Sequence, residues 1–176
     1  MAELQLSRQS MRTSLAAETL RASGHLRLRV YGTSMLGAIW PGDVLHCERC
    51  DVESVRVGDI LLYVRGEQLI AHRVVELHGA AGHTRVVTRG DRLRCDDPFV
   101  DVENILGRVG SVHRDGLAPR HISRRSRTQQ MISAGLARSE LMCELALRVY
   151  ALYVRLARAL ALASRSRNAP AFEVQG

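Results

Sequence analysis

Tyr31-Gly32-Thr33-Ser34-Met35-Leu36-Gly37-Ala38-Ile39-Trp40-Pro41-Gly42-Asp43 is the stretch from which the rest of the 176-residue chain is read. It follows Leu26-Arg27-Leu28-Arg29-Val30-Tyr31, where apolar and basic residues alternate with the period of two that a half-buried strand requires. The strand is expected to deliver Ser34 to a turn. Gly32 has access to backbone angles closed to other residues, so a sharp bend is expected there, leaving the Ser34 hydroxyl and amide facing outward as a seat for a nucleophile. Gly-Thr-Ser also reads as an ordinary polar loop.

A nucleophilic serine needs a base, and composition restricts the choice. The chain contains no lysine, so all 25 basic residues are arginine and a Ser-Lys dyad is excluded. Arginine holds its proton far above neutral pH and cannot serve in its place. Of the seven histidines, His72 lies in Leu69-Ile70-Ala71-His72-Arg73-Val74-Val75, which reads as a largely buried strand. A rigid, partly desolvated imidazole there suits a base working near neutral pH, and it equally suits a satisfied strand residue.

Working outward, Gly32-Thr33-Ser34-Met35 is followed by Gly42-Asp43-Val44, Val57-Gly58-Asp59-Ile60-Leu61-Leu62-Tyr63, Ile70-Ala71-His72-Arg73-Val74-Val75, Thr88-Arg89-Gly90-Asp91, Asp96-Asp97 and Ile105-Leu106-Gly107-Arg108-Val109. In this order and spacing, over about residues 26–112, the chain resembles the signal peptidase I superfamily. It is most similar to the endoplasmic-reticulum-type branch, which uses histidine where most bacterial members and the self-cleaving SOS-response repressors use lysine. The resemblance implies Ser34 as nucleophile and His72 as general base. It matches Asp97 to the aspartate that supports the base and Asp91 to the aspartate of the family's Gly-Asp motif, with Asp96 a competitor for the supporting role. It implies catalysis without a metal or organic cofactor, on an extended peptide that adds to a strand edge.

Two departures stand out. Many lysine-type members carry a hydroxyl two residues before the nucleophile, where this chain has Gly32. The family usually continues Ser-Met-x-Pro, whereas Ser34-Met35-Leu36-Gly37 delays its proline to Pro41. A differently shaped substrate-facing loop is expected.

The fold class expected is mainly β: a coiled antiparallel signal-peptidase-like sheet with a short N-terminal helix and a C-terminal α-helical extension. Residues 1–25 form the helical segment, with a helix over Ser14 to Ala22 ended by Gly24, and 26–115 form the catalytic domain. A basic linker spans 116–130, an amphipathic helical extension 131–163 and a tail 164–176. The first 24 residues lack the uninterrupted apolar segment of a secretory signal, so a cytoplasmic protein, with peripheral membrane contact, is expected. Gly42-Asp43 and Gly58-Asp59 read as turns whose aspartates bond nearby amides, Thr84 to Thr88 as a strand, and 79–82 as a hairpin loop.

His46-Cys47-Glu48-Arg49-Cys50 contains a Cys-x-x-Cys, but Cys95 and Cys143 supply no second close pair, so free thiols are expected over a metal site. Arg120-His121-Ile122-Ser123-Arg124-Arg125-Ser126-Arg127 contributes much of the net charge of +7. Only seven residues are aromatic and no nucleic-acid-binding motif is evident, so the run reads as a solvated linker, with no specific nucleic acid expected. In 131–163, Leu145, Val149, Leu152, Leu156 and Leu160 fall on one helical side and Glu144, Arg148, Arg155 and Arg158 on the other. The longest run between charges is too short to span a bilayer. Packing on the domain or on a second copy, contact with an anionic membrane surface, and docking of another protein all fit this pattern.

The function expected is that of a serine endopeptidase acting through Ser34, His72 and Asp97. The competing classes are a non-catalytic peptide- or partner-binding module of the same fold and an adaptor for anionic surfaces.

Overall fold

Ile60-Leu61-Leu62-Tyr63-Val64 is apolar at every position because the strand it forms lies between two cores. The computed structural model describes residues 2–79, 85–114, 117–122, 132–133, 135–136 and 139–167. In chain order the elements are α1 (Ala2–Ser23), β1 (His25–Arg29), β2 (Val44–Glu48), β3 (Ile60–Arg65), β4 (Gln68–His78), β5 (Arg85–Arg89), β6 (Ile105–His113), β7 (Arg120–His121) and α2 (Glu140–Arg167), with short 3-10 turns at Val52–Ser54 and Val102–Asn104. The strands make one antiparallel sheet in the order β1-β2-β6-β3-β4-β5, with β7 added to β6, and the sheet does not close into a barrel.

Period-two alternation decides which core each residue enters. From β3, Ile60 and Leu62 enter the first core, with Leu20 of α1, Met35 and Ile39 of the serine loop, and Val109 and Val112 of β6. Leu61 and Tyr63 enter the second, with Val74, Val86 and Val100. A third, smaller cluster joins Leu36 and Trp40 to Leu136, Cys143, Ala146 and Leu147, so the face of α2 bearing Cys143 and Leu147 packs on the serine loop.

The antiparallel architecture with helical ends is as the sequence indicates, but several boundaries move. Helix α1 is 22 residues long, well beyond Ser14 to Ala22, because no glycine or proline interrupts the chain before Gly24. Gly24 ends it with φ +76°, its N–H donating to the Leu20 carbonyl at 3.0 Å. The expected solvated linker begins as structure: Arg120 and His121 pair with β6 and Ile122 packs on the first core, while 123–131 lie outside the described residues. Of the hairpin loop expected at 79–82, only Gly79 is described. Thr84, the first residue of the strand expected before Gly90, also lies outside the described residues, and β5 starts at Arg85. Helix α2 runs to Arg167, four residues past the expected end of the extension, and residues 168–176 are not described.

The Gly-Asp turns form as expected. Gly42 and Gly58 take φ +94° and +100°, and the carboxylates behind them accept from the amides of Trp40 (2.9 Å) and Arg56 (3.0 Å). Gly107, at the middle of the sheet, has no room for a side chain: a Cβ there meets the Glu48 carbonyl and, at 3.0 Å, Leu20. Gly107→Ala is therefore expected to lower stability by about 1–3 kcal/mol through displacement of β2 from β6, read as a fall in the thermal unfolding midpoint; an unchanged midpoint contradicts this packing.

Candidate active site

His72 owes its position to pleat. It lies opposite Leu61 in the β3–β4 ladder, so its side chain falls on the second-core face with Ile70 and Val74, whereas Leu69 and Ala71 face the first core. The imidazole is 7% exposed. The chain segment after β5 passes that face, tied back by Asp97 N–H to the Thr88 carbonyl (2.8 Å), and so carries the Asp97 carboxylate to the ring.

The result is a continuous chain of polar atoms. His72 Nε2 lies 2.9 Å from Ser34 Oγ, and His72 Nδ1 lies 2.6 Å from Asp97 Oδ2. The Thr88 hydroxyl donates to the same Asp97 oxygen at 2.7 Å, and the Tyr63 hydroxyl lies 3.0 Å from Thr88 and 3.2 Å from Asp97. Arg65 reaches Asp97 Oδ1 at 3.3 Å from the solvent side. Burial alone would raise the Asp97 carboxyl, but hydrogen bonds from His72, Thr88 and Tyr63, with the His72 charge, outweigh it and hold Asp97 below an ordinary aspartate. Burial pushes the Tyr63 phenol up to about 12, so it stays protonated and able to donate. An ionised Asp97 favours a proton on Nδ1, which leaves the Nε2 lone pair facing Ser34.

Ser34 is half-buried and held by its backbone. Its carbonyl accepts from Arg92 N–H at 2.9 Å, and Gly90 passes so close that a Cβ there stands 2.8 Å from the same oxygen. The glycine of Gly90-Asp91 thus serves close approach to the serine. Among the described residues the Ser34 N–H has no hydrogen-bond acceptor, which leaves it available to a developing oxyanion. Gly32 does not act as expected: its φ is not positive, and the left-handed turns of this loop fall at Gly37 (φ +99°) and Gly42. Proline, fixed near −65°, cannot take the Gly37 conformation, and Leu36 is fully buried against the C-terminal cluster. The departure from Ser-Met-x-Pro is accounted for by that anchorage.

The structure brings Ser34, His72 and Asp97 together and places the other two aspartates elsewhere. Asp91 is buried, with both oxygens accepting from Arg73 (2.9 and 2.8 Å), which also donates to the Gly58 carbonyl. Its place is beneath the site, fixing β4 against the Gly90 turn. Asp96 pairs with Arg89 at 3.1 Å and is largely exposed. The four cysteines are free, and burial pushes the Cys47 thiol up to about 12, which makes it a poor nucleophile. Among the described residues no group of histidine, cysteine and carboxylate side chains is arranged to hold a metal ion. Sequence reading did not find Tyr63 and Thr88, because an all-apolar strand does not reveal which face a tyrosine takes.

A groove of about 840 Å³ opens onto Ser34 and His72, lined by β1, the first half of β4 and α1. Among the described residues β1 pairs only with β2, and β5 reaches β4 only from Arg73 onward, so two strand edges without a partner, 26–29 and 68–72, line the same groove. Compared with known proteins, the chain matches no family model, and no curated protein matches it.

Two outcomes follow from this geometry. If Ser34 acts as a nucleophile, Gly90→Ala is expected to cut turnover by ~10²-fold, the cost of about 1 Å of misplacement, while the protein stays folded by circular dichroism; cleavage at the wild-type rate contradicts the close approach. Asp97 is depressed in the folded state, so its stabilisation is complete above the ordinary aspartate value of about 3.9 and is lost as pH falls through the lower folded value. The stability gap between wild type and Asp97→Asn in urea titrations should therefore shrink on acidification below that range; a gap that widens there contradicts the sign.

Proposed function

We propose that the chain is a serine endopeptidase of the signal-peptidase-like type, with Ser34 as nucleophile, His72 as general base and Asp97 as the residue that orients the base. One observation carries the reading: the unbroken contact from Ser34 Oγ through both His72 nitrogens to Asp97, at 2.9 and 2.6 Å. In the reaction, Ser34 Oγ attacks the carbonyl carbon of a peptide bond while His72 Nε2 takes its proton. The oxyanion forms against the Ser34 N–H. As the C–N bond breaks, His72 returns the proton to the leaving amine, and an acyl ester remains on Ser34. Water, deprotonated by the same imidazole, releases the acyl group and restores the serine.

The groove between two free strand edges supports an extended peptide substrate, whose backbone would pair with one or both edges while alternate side chains enter the groove. The four free thiols suit a reducing compartment, so the proposed setting is the cytoplasm, at or near a membrane surface. Among the described residues no helix is long and apolar enough to cross a membrane.

The test is a diverse peptide library incubated with the protein and read by mass spectrometry. Ser34→Ala and His72→Ala are each expected to lower cleavage by at least ~10⁴-fold, and Asp97→Asn by ~10⁴-fold through the wrong tautomer. An untouched library, with peptides retained equally by wild type and Ser34→Ala, favours a binding module of the same fold.

A further inference from the structure

Helix α2 has two apolar faces, and among the described residues only one is packed. Cys143, Ala146, Leu147 and Tyr150 face the protein: Tyr150 stacks on Trp40 with ring centroids 4.5 Å apart, and its hydroxyl donates to Asp43 at 3.2 Å. On the far side Leu141, Leu145, Val149, Leu152, Leu156 and Leu160 are each more than half exposed, from 56% to 78%. Six large aliphatic side chains in one unbroken stripe exceed the scattered exposure normal for a surface. Of the roles that the sequence pattern fits, packing on the domain is not the one this stripe takes: it lies in solvent, because Trp40 and Leu36 hold the opposite face.

Spacing and charge indicate what covers it. The stripe advances by 4, 4, 3, 4 and 4 residues. Leu145, Val149, Leu152 and Leu156 alone keep the 4-3-4 spacing of a coiled-coil seam, but with Leu141 and Leu160 the stripe spans about 100° of the helix surface, broader than such a seam. A face of that width suits a helix lying in the plane of an interface. Arg148 and Arg155 are exposed and border it instead of lying on the opposite side as the sequence suggests, because that side is packed on the protein; the acid on the same border, Glu144, lies 3.8 Å from Arg148, so the border is net basic. With its other face packed on protein, the helix cannot be surrounded by lipid and would lie in the interfacial plane.

We propose that the outward face of α2 docks the protein on an anionic lipid bilayer, the six aliphatic residues entering the interface and Arg148 and Arg155 meeting lipid phosphates. Leu36 and Trp40 ride on the inner face of the same helix, which holds the serine loop about one helix diameter, ~10–12 Å, from the lipid.

The experiment uses full-length protein carrying Ser34→Ala, so that binding is read independently of cleavage. Co-sedimentation is measured with phosphatidylcholine vesicles, with and without phosphatidylglycerol. Partition onto the anionic vesicles is expected to be about tenfold or more stronger and to weaken with salt. Leu145→Ser, Leu152→Ser and Leu156→Ser together should abolish binding while the emission of Trp40, the sole tryptophan, stays native. Should that triple variant lose the native emission, Arg148→Gln with Arg155→Gln supplies the test, since both side chains point away from the packed face, and loss of the anionic preference is the expected result. Equal partition onto neutral and anionic vesicles, or no partition at all, overturns the proposal. If light scattering then finds a dimer that the triple serine variant dissolves, the stripe belongs to a second copy.

Discussion

A carboxylate with no exposure to water holds the irregular part of this protein in place. Asp43 accepts from Arg114 at 2.8 Å on each oxygen, from the amide of Trp40 and from the hydroxyl of Tyr150. These four donors come from the serine loop itself, the end of β6 and α2. A buried charge is tolerable only when paired and hydrogen-bonded, so loss of Arg114 would leave an uncompensated ion at a cost of about 3–5 kcal/mol, and loss of the Trp40 or Tyr150 donor would cost about 1.5–3 kcal/mol for a hydrogen bond to a charged group. The loop that carries Ser34, which joins the β1–β2 ladder only at its end through the bonds of Gly42 and Asp43 with Val30, is thereby held rigid.

The same logic recurs around His72. Two side-chain pairs that flank β4 use its alternation: His72 hydrogen-bonds Asp97 on one side of the strand, and Arg73, the next residue, forms an ion pair with Asp91 on the other. The first pair presents the His72 ring to the groove and orients it toward Ser34. Its neighbour is sealed and ties the strand to the turn that presses on Ser34. Two adjacent residues of one strand thus take part in the proposed base and in the support of the proposed nucleophile, and burial gives both pairs a low local dielectric in which their geometry is strongly enforced.

Much of this was legible in sequence, and the parts that were not share a cause. The alternation in Leu26 to Tyr31, the Gly-Asp turns and the apolar run around His72 are local signals, and each appears as a strand or turn close to its expected place. The triple of Ser34, His72 and Asp97 was named from motif order, whereas the choice of Asp97 over Asp96 and Asp91 needed the path of the segment after β5. Tyr63, Thr88 and Gly90 act through contacts across strands, which no spacing along the chain encodes. The helical stripe from Leu145 to Leu160 was read correctly as a face, but the side on which α2 packs is set by Leu36 and Trp40, more than a hundred residues away.

The central claim is that Asp97 fixes the His72 tautomer so that Nε2 presents its lone pair to Ser34. Nitrogen-15 NMR of the histidine rings, with His72 assigned by comparison with His72→Ala, reads that tautomer directly at neutral pH. The account predicts a neutral ring protonated at Nδ1 in the wild type and a shift of the proton toward Nε2 in Asp97→Asn. A wild-type ring protonated at Nε2 and indifferent to Asp97 would contradict it.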